Sequence, residues 1–186
     1  VKALQAAITT NSDIREDTLN YTLIATPGYP ECADEMLALN VDRKETAFVI
    51  IDSPFRLAPT GVTAWKAGTN GTENGEDALT ASGSQCATYY PSGLSTNTDG
   101  TSVVVPASHM VLRTMSYNDS IAYPWFAPAG FNRGALENVK NTAVRLTAGD
   151  RDDLYQARIN PIANFPDGGF VIFGQKTLQQ AQSALD

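Results

Sequence analysis

Apolar and polar positions in the first third of the chain follow the pattern of a strand, a helix and a second strand. The run at 21–26 is apolar and β-branched, and a Pro-Gly turn follows it. Pro30 then begins a predicted helix that has acidic residues in its first turn and that Asn40 is predicted to end. The run at 46–51 is hydrophobic on both faces, as in a buried strand. This order predicts a βαβ unit in a parallel sheet.

The remaining patterns predict further helices and strands but no clean domain boundary and no internal repeat. The predicted fold class is therefore α/β, with a mixed, largely parallel sheet and flanking helices, in one domain that spans residues 1–186. Segment 56–85 is predicted to be a long glycine-rich loop with a short helix at 76–81, and segment 123–134 to be extended and irregular. The other predicted elements are helices at 2–9, from 106 to about 115, and at 147–158, strands at 87–91, 101–105, 140–146, 162–165 and 170–173, and a turn at 97–100.

The helix at 147–158 carries the strongest local signals in the chain. Thr147 and Asp150 have the spacing of a capping box at its start. Arg158 is predicted to lie in its last turn, where a positive charge complements the helix dipole. The pair Asn160-Pro161 is predicted to end it, since the residue before a proline avoids helical geometry.

Charge and hydropathy narrow the classes of partner. Twenty acidic and thirteen basic residues give a net charge of −7, which opposes binding to nucleic acids and to anionic membranes. No apolar run reaches the roughly 20 residues that a membrane-spanning helix needs. We therefore expect no nucleic-acid partner and no direct insertion into a membrane.

The chain has two cysteines, Cys32 and Cys86, and a single histidine, His109. The cysteines are 54 positions apart, and no CxxC pair or His cluster gives the spacing of a zinc site. We predict reduced thiols, while the sequence alone leaves a single disulfide open. No cofactor and no metal are predicted.

One set of residues resembles a serine protease triad. Asp52 follows a buried strand as in subtilisin-like proteases, Ser102 lies in a Gly-Thr-Ser sequence, and His109 is the one available base. The order along the chain is wrong for that family, however, and Ser102 enters a predicted strand instead of beginning a helix. His109 also lacks the glycine and second histidine that accompany it in those proteases. We therefore predict that Asp52 has a structural role at the strand end and that His109 is a solvated helix residue.

Other kinds of site receive less support. A small-molecule site at a switch point of the parallel sheet, near Asp52 and Pro54, is a third class of function to test. The sequence contains neither a GxxxxGK[ST] phosphate-binding loop nor a GxGxxG motif, and its acidic residues at 150–153 lack the spacing of a calcium loop. Several aromatic residues without basic neighbours are predicted to be core or subunit-contact residues: Tyr89, Tyr90, Tyr123, Trp125 and Phe126.

Ordered motifs between residues 47 and 178 resemble the tail sheath family of contractile phages, especially its T-even type. Segment 125–134 is similar to that family's W-x-A-P-A-G-x-N-R-G, segments 154–155, 159–162 and 164–169 to its L-Y…I-N-P-I…F-P-G-x-G, and segment 173–178 to its W-G-x-K/R-T-L. Segments 89–91 and 105–108 are similar to its Y-Y-P and V-P-P-S elements, although Ala107 replaces the second proline and Phe173 the tryptophan of W-G. The family-motif residues that we expect to matter structurally are Tyr90, Pro91, Pro106, Trp125, Pro128, Gly130, Asn132, Arg133, Asn160, Pro161, Phe165, Pro166 and Gly174.

The resemblance implies a structural subunit and not an enzyme. Members of the family form stacked hexameric rings around a tail tube, and their contraction drives the tube through the host envelope. The implied partners are other copies of the chain, the tail tube protein, and the baseplate and tail terminator proteins. The implied location is the contractile tail of the virion, after synthesis in the host bacterial cytoplasm. The family core is subtilisin-like in fold without the activity, and its N-terminal arm and C-terminal domain are expected to lie outside this chain.

The resemblance also gives an expectation for the segment 125–134. Its proline and its two glycines fix an unusual backbone path, and we expect buried Trp125 and Phe131 to anchor it. A buried Trp125 would make truncation to Ala cost about 3–5 kcal/mol.

Overall fold

The computed structural model describes residues 1–55, 57–69, 78–79, 81–123, 125–137 and 139–181. Its helices are α1 (Lys2–Thr10), α2 (Ala33–Asp42), α3 (Pro59–Lys66), α4 (Ala107–Ile121), α5 (Gly130–Arg133) and α6 (Ala148–Gln156). Its strands are β1 (Leu23–Ala25), β2 (Phe48–Asp52), β3 (Cys86–Tyr90), β4 (Gly93–Thr96), β5 (Ser102–Val105), β6 (Asn141–Thr142), β7 (Ile159–Phe165) and β8 (Gly169–Ile172).

Five strands form the main sheet in the order β1-β2-β3-β7-β8. The first four are parallel, and β8 pairs antiparallel with β7. The unit β1-α2-β2 is the predicted parallel βαβ unit, with Leu23 opposite Phe48 and Ala25 opposite Ile50. The predicted class, a mixed and largely parallel sheet with helices, is confirmed.

Side chains of β2 alternate between two cores, one on each face of the sheet. Val49 and Ile51 point into a core shared with α2, α3 and α6. Ile50 points into a second core shared with α4, where Val111 is fully buried. Since both faces of β2 are covered, the strand is hydrophobic at consecutive positions instead of alternating.

A smaller antiparallel sheet has the order β5-β4-β6. The predicted strand at 101–105 is β5, and the predicted turn at 97–100 joins it to β4. The prediction missed β4, because its sequence Gly-Leu-Ser-Thr offers one large apolar residue and no alternating pattern. The predicted strand at 140–146 is reduced to the two residues of β6.

Three predicted boundaries are wrong for identifiable reasons. Asn40 does not end α2, which continues to Asp42, because the buried Asn40 side chain instead bonds both the backbone N–H and the carbonyl of Ala47. Arg158 lies beyond the end of α6, in the left-handed region with φ 63°. The pair Asn160-Pro161 belongs to β7, so the helix ends at Gln156 without it.

The glycine-rich segment contains a helix that the sequence analysis did not find. Helix α3 begins at Pro59 and buries Val62 and Trp65 in the first core. The short helix predicted at 76–81 falls largely outside the described residues. In the segment 123–134, the predicted irregular path is interrupted by the four-residue helix α5.

Candidate functional site

Asp52 lies at the carboxyl end of β2 and is 4% exposed. One carboxylate oxygen accepts the backbone N–H of Ser108 (2.7 Å), and the other accepts the Ser108 hydroxyl (2.7 Å) and the N–H of Gly28 (2.8 Å). Burial raises the pKa of Asp52, and the hydrogen bonds from Gly28 and Ser108 oppose that rise. The carboxylate thus joins the turn after β1 to the first turn of α4.

The other two residues of the apparent triad lie elsewhere in the structure. Ser102 is an exposed residue at the start of the edge strand β5. His109 is exposed on α4, one position after the serine that binds Asp52. Within the described part of the chain, the hydrogen-bond donors to Asp52 are Gly28 and Ser108 alone. Asp52 therefore has the structural role predicted for it and does not orient an imidazole as the acid of a triad does.

The strand order also bears on the suggested small-molecule site near Asp52 and Pro54. A switch-point crevice forms where the strand order of an open α/β sheet reverses. Here the order β1-β2-β3-β7-β8 runs in one direction from the first strand to the last. The polar side chains at the end of β2 also have hydrogen-bond partners within the chain. Ser108 and Gly28 donate to Asp52, and the Ser53 hydroxyl donates to the carbonyl of Tyr89 (3.3 Å). The described residues therefore do not form a switch-point crevice beside Asp52.

Two motif segments are fastened together at β7. Asn160 is fully buried, and its side chain donates to the carbonyl of Lys176 (2.7 Å) and accepts the N–H of the same residue (2.7 Å). Gly174 passes so close that a Cβ there would lie 2.8 Å from Asn160 Oδ1 and 3.0 Å from Pro161 Cδ. The N–H of Phe173 also donates to the carbonyl of Pro161 (2.8 Å). The I-N-P and F-G motifs thus specify a close backbone approach beside the sheet.

The A-P-A-G-x-N-R-G segment packs against the free side of β8 and the end of α4. Gly134 accepts the N–H of Ile172 (2.8 Å), and a Cβ at Gly134 would meet the carbonyl oxygen of Ile172 at 2.8 Å. The buried Asn118 side chain donates to the carbonyl of Arg133 (2.6 Å). The Arg133 guanidinium lies over the ring of Phe126, 4.0 Å from its centroid. Backbone contacts, cation–π stacking and small residues hold this segment in place.

Trp125 does not anchor that segment, because its side chain is 75% exposed. It stacks on Tyr123 with the ring centroids 4.7 Å apart, and Phe131 is also exposed. Together with Phe126, Leu23 and neighbouring residues, Trp125 lines an open groove of about 500 Å³ beside β1. The expectation of a buried tryptophan and phenylalanine was wrong.

The other family-motif residues divide between core and surface. Tyr90 is fully buried, and its hydroxyl donates to the carbonyl of Leu57 (2.7 Å). Phe165 packs between the rings of Phe131 and Phe173, at centroid distances of 5.1 and 5.0 Å. Of the remaining motif residues, Pro91 and Pro161 are buried, Pro106 is the residue before α4, Pro128 and Gly130 are partly buried, and Asn132 and Pro166 are exposed.

Three further properties concern the helices, the possible metal ligands and the cysteines among the described residues. No helix in the described part of the chain is both long and apolar enough to cross a membrane. The described His, Cys, Asp and Glu side chains form no group of three or more that could hold a metal ion. Cys32 and Cys86 are both free and buried, and burial raises the pKa of Cys86 to about 11.

The fold is that of contractile sheath proteins. The helical sheath of the anti-feeding prophage in its contracted state superposes with a TM-score of 0.65 and 21% identity over 94% of this chain. The contracted sheath complex of the PVC extracellular contractile injection system superposes with a TM-score of 0.66 and 19% identity over 96% of this chain. The baseplate structure of the anti-feeding prophage superposes with a TM-score of 0.67 and 21% identity over 94% of this chain. In each case the chain covers less than half of the matched chain.

Sequence comparison finds tail sheath proteins of two phages. The tail sheath protein of Vibrio phage KVP40 is 44% identical over 82 residues, and that of Enterobacteria phage T4 is 34% identical over 82 residues. Each match covers 44% of this chain and 12% of the relative. No family model matches the chain. The resemblance to the tail sheath family is therefore confirmed, and this chain spans only a small part of the relatives it matches.

Proposed function

We propose that this chain is the core of a contractile tail sheath protein, a structural subunit that works by assembling with copies of itself. The observation that carries the proposal is the agreement between the sequence comparison and the comparison of folds. Sheath structures share the fold over at least 94% of the chain, and phage tail sheath proteins share up to 44% identity over 82 residues.

The finer features of the proposal come from the family resemblance. The subunits would form stacked hexameric rings around a tail tube, between a baseplate and a tail terminator, in a virion made in the host cytoplasm. The core would have a subtilisin-like architecture, and an N-terminal arm and a C-terminal domain would flank it. Contraction would move nearly rigid subunits against one another. The two covered faces of the main sheet support this rigidity, because a close-packed core does not deform continuously.

We also propose that the chain has no hydrolase activity. The positions of the three triad residues support this proposal. The carboxylate of Asp52 accepts hydrogen bonds from Gly28 and Ser108, while Ser102 and His109 are exposed on β5 and α4. Incubation with a fluorophosphonate probe should leave Ser102 unlabelled. Labelling of Ser102 that disappears in a His109→Ala variant would contradict this part of the proposal.

Negative-stain electron microscopy of the full-length protein tests the sheath proposal. The purified protein should polymerise into hollow tubes of uniform width, as a sheath subunit does when its cohesive surfaces are intact. A protein that stays dispersed under conditions of ionic strength and concentration that assemble related sheath proteins would argue against a sheath function.

A further inference from the structure

A polar cavity of about 560 Å³ lies at the carboxyl end of the main sheet, between β7 and the segment around β6. Arg145 and Arg151 line it together with polar residues such as Asn141, Thr142 and Asn164, and none of the described acidic side chains lines it. On a chain of net charge −7 this is a local concentration of positive charge. The nearby carboxylate of Asp150 is already bound by the hydroxyl and the N–H of Thr147.

These two arginines differ from others in the described part of the chain. Arg15 pairs with Asp42 (2.8 Å) and Arg113 with Glu137 (2.6 Å). Arg43 is buried and donates to three backbone carbonyls. The side chain of Arg145, by contrast, is exposed and has no hydrogen bond or ion pair to a described residue. The Arg151 guanidinium lies over the rings of Phe165 and Phe173, 5.2 and 5.8 Å from their centroids, and its side chain has no hydrogen bond or ion pair to a described residue.

An exposed acidic turn precedes β1 and contains Asp13, Glu16 and Asp17. Arg43 holds this turn in place by donating to the carbonyls of Ile14 (3.2 Å), Glu16 (2.8 Å) and Leu19 (2.8 Å). Because the backbone of the turn is already fixed, little conformational entropy is lost when its carboxylates meet a cationic partner.

The acidic turn and the arginine cavity lie at opposite ends of the parallel strands. The turn contacts Arg43, which follows α2 and precedes β2, so it lies at the amino end of the strands. The cavity is lined by β7 residues beyond Pro161, the last residue of β7 that pairs with β3, so it lies at the carboxyl end. Five strand residues separate the two ends by roughly 17 Å. The two surfaces therefore cannot meet within one copy, but they can meet head to tail between copies.

We propose that the arginine cavity binds the acidic turn of a neighbouring copy, as a head-to-tail contact between subunits. This inference rests on the proposed self-assembly and identifies the surfaces that take part in it. Opposite charges across such a contact steer association and fix the register between copies. Salt should weaken the contact, because exposed charges are screened within about 8 Å at physiological ionic strength.

The test measures the critical concentration for polymerisation of the full-length protein by pelleting and light scattering. Arg145→Glu should raise it about tenfold or more, and so should Glu16→Arg combined with Asp17→Arg. Combining all three substitutions reverses both charges and should restore a value within about threefold of the wild type. Lys140→Glu is the matched control, since Lys140 is exposed in the same segment but does not line the cavity. It should shift the value less than about twofold.

Each outcome bears on a distinct claim. Normal polymerisation of Arg145→Glu, or failure of the triple variant to recover while its circular dichroism is native, would overturn the contact but leave the sheath function intact. Equal shifts of the critical concentration in Arg145→Glu and Lys140→Glu would show that the effect comes from net charge alone. That result would also overturn the proposed contact. A wild-type protein that never polymerises would refute the proposed function itself. If Arg145→Glu unfolds, Arg145→Gln and the acidic-turn variant test the same contact from either side.

Discussion

Asp52 is buried at the end of β2 and accepts three hydrogen bonds, two of them from Ser108. The same residue type at the same place in a protease would orient a histidine. In this chain it fixes the start of α4 against the sheet, since its carboxylate receives the helix N–H of Ser108. An acidic residue after a buried strand is therefore a weak signal for catalysis until the partners of its carboxylate are known.

Replacing Asp52 by Asn tests that structural role. An amide keeps one acceptor oxygen but directs an NH₂ group at a donor, so we expect a loss of about 1–3 kcal/mol in the free energy of unfolding. Urea denaturation of the purified chain measures it, with Asp119→Asn as an exposed control that should change by less than about 0.5 kcal/mol. Equal stability of the two variants would show that the three hydrogen bonds do not hold α4.

Truncation of the two tryptophans is expected to change the free energy of unfolding by very different amounts. Trp65 is 2% exposed in the first core, whereas Trp125 is 75% exposed. Trp65→Ala should cost about 3–5 kcal/mol and Trp125→Ala less than about 1 kcal/mol. Acrylamide should quench the fluorescence of Trp125 in a Trp65→Phe background far more than that of Trp65 in a Trp125→Phe background. If Trp125 were protected from the quencher, it would be buried, as expected from the sequence, and the exposed position described above would be wrong.

Gly174 is required for space and not for a positive φ. An alanine Cβ there would press on Asn160 and Pro161, so we expect Gly174→Ala to cost about 1–3 kcal/mol through overpacking. Gly149→Ala is the matched comparison, because Gly149 lies in α6 and its nearest obstacle is 4.0 Å away. That substitution should stabilise the chain by about 0.4–1 kcal/mol. Thermal melts of the two variants that shift in the same direction would contradict the close approach at Gly174.

At the scale of elements, α6 shows how much a local motif can specify. The predicted capping box is present: the Thr147 hydroxyl accepts the N–H of Asp150 (3.2 Å), and the Asp150 carboxylate accepts the N–H of Thr147 (2.9 Å). Hydrogen bonds from the Thr147 side chain, and then from its backbone, hold the pKa of Asp150 below its usual value. Sequence alone determined this helix start because both partners lie within four residues.

Thr147→Ala should therefore lower the free energy of unfolding by about 1 kcal/mol at neutral pH, with Thr147→Ser as the conservative control. Because the pKa of Asp150 is lower in the folded state, its stabilising effect is present above about pH 4 and is lost as the pH falls through the folded value. The difference between wild type and Thr147→Ala should shrink below about pH 4. A difference that is constant from pH 7 to pH 3 would show that the carboxylate does not contribute.

The elements that sequence reasoning missed depend on distant contacts. The βαβ unit was predictable, since the first four residues of β2 are all hydrophobic and Pro30 marks the turn before α2. Strand β4 has no pattern of its own and forms because β5 and β6 pair with it on either side. Helix α3 was obscured by the glycines around it, although Pro59, Val62 and Trp65 carry a helical start and spacing.

The candidate site was predictable only in part. The order of the motifs identified the family, yet it did not give the exposure of Trp125, because a motif carries no information about what covers its side chains. The arginine cavity was not foreseen either. Arg145 and Arg151 come together with β7 residues through the path of the chain after β6, which no local pattern encodes.

At the scale of the whole molecule, the distribution of charge and the rigid sheet fit a subunit that is repeated. Acidic and basic surfaces lie at opposite ends of one sheet whose two faces are both covered. Such a body can be stacked without changing its own fold, which suits an assembly that moves by rearranging its contacts. The three side chains of the apparent triad, Asp52, Ser102 and His109, do not converge on one site.

Helical reconstruction of the full-length protein by cryo-electron microscopy tests the proposed sheath function. We expect a hollow tube with sixfold rings, in which the described residues fit the density of every subunit as one rigid body, with the arginine cavity facing the acidic turn of a neighbour. A protein that yields no helical assembly, or a helical map whose subunit density does not accommodate the five-stranded sheet, would contradict the account.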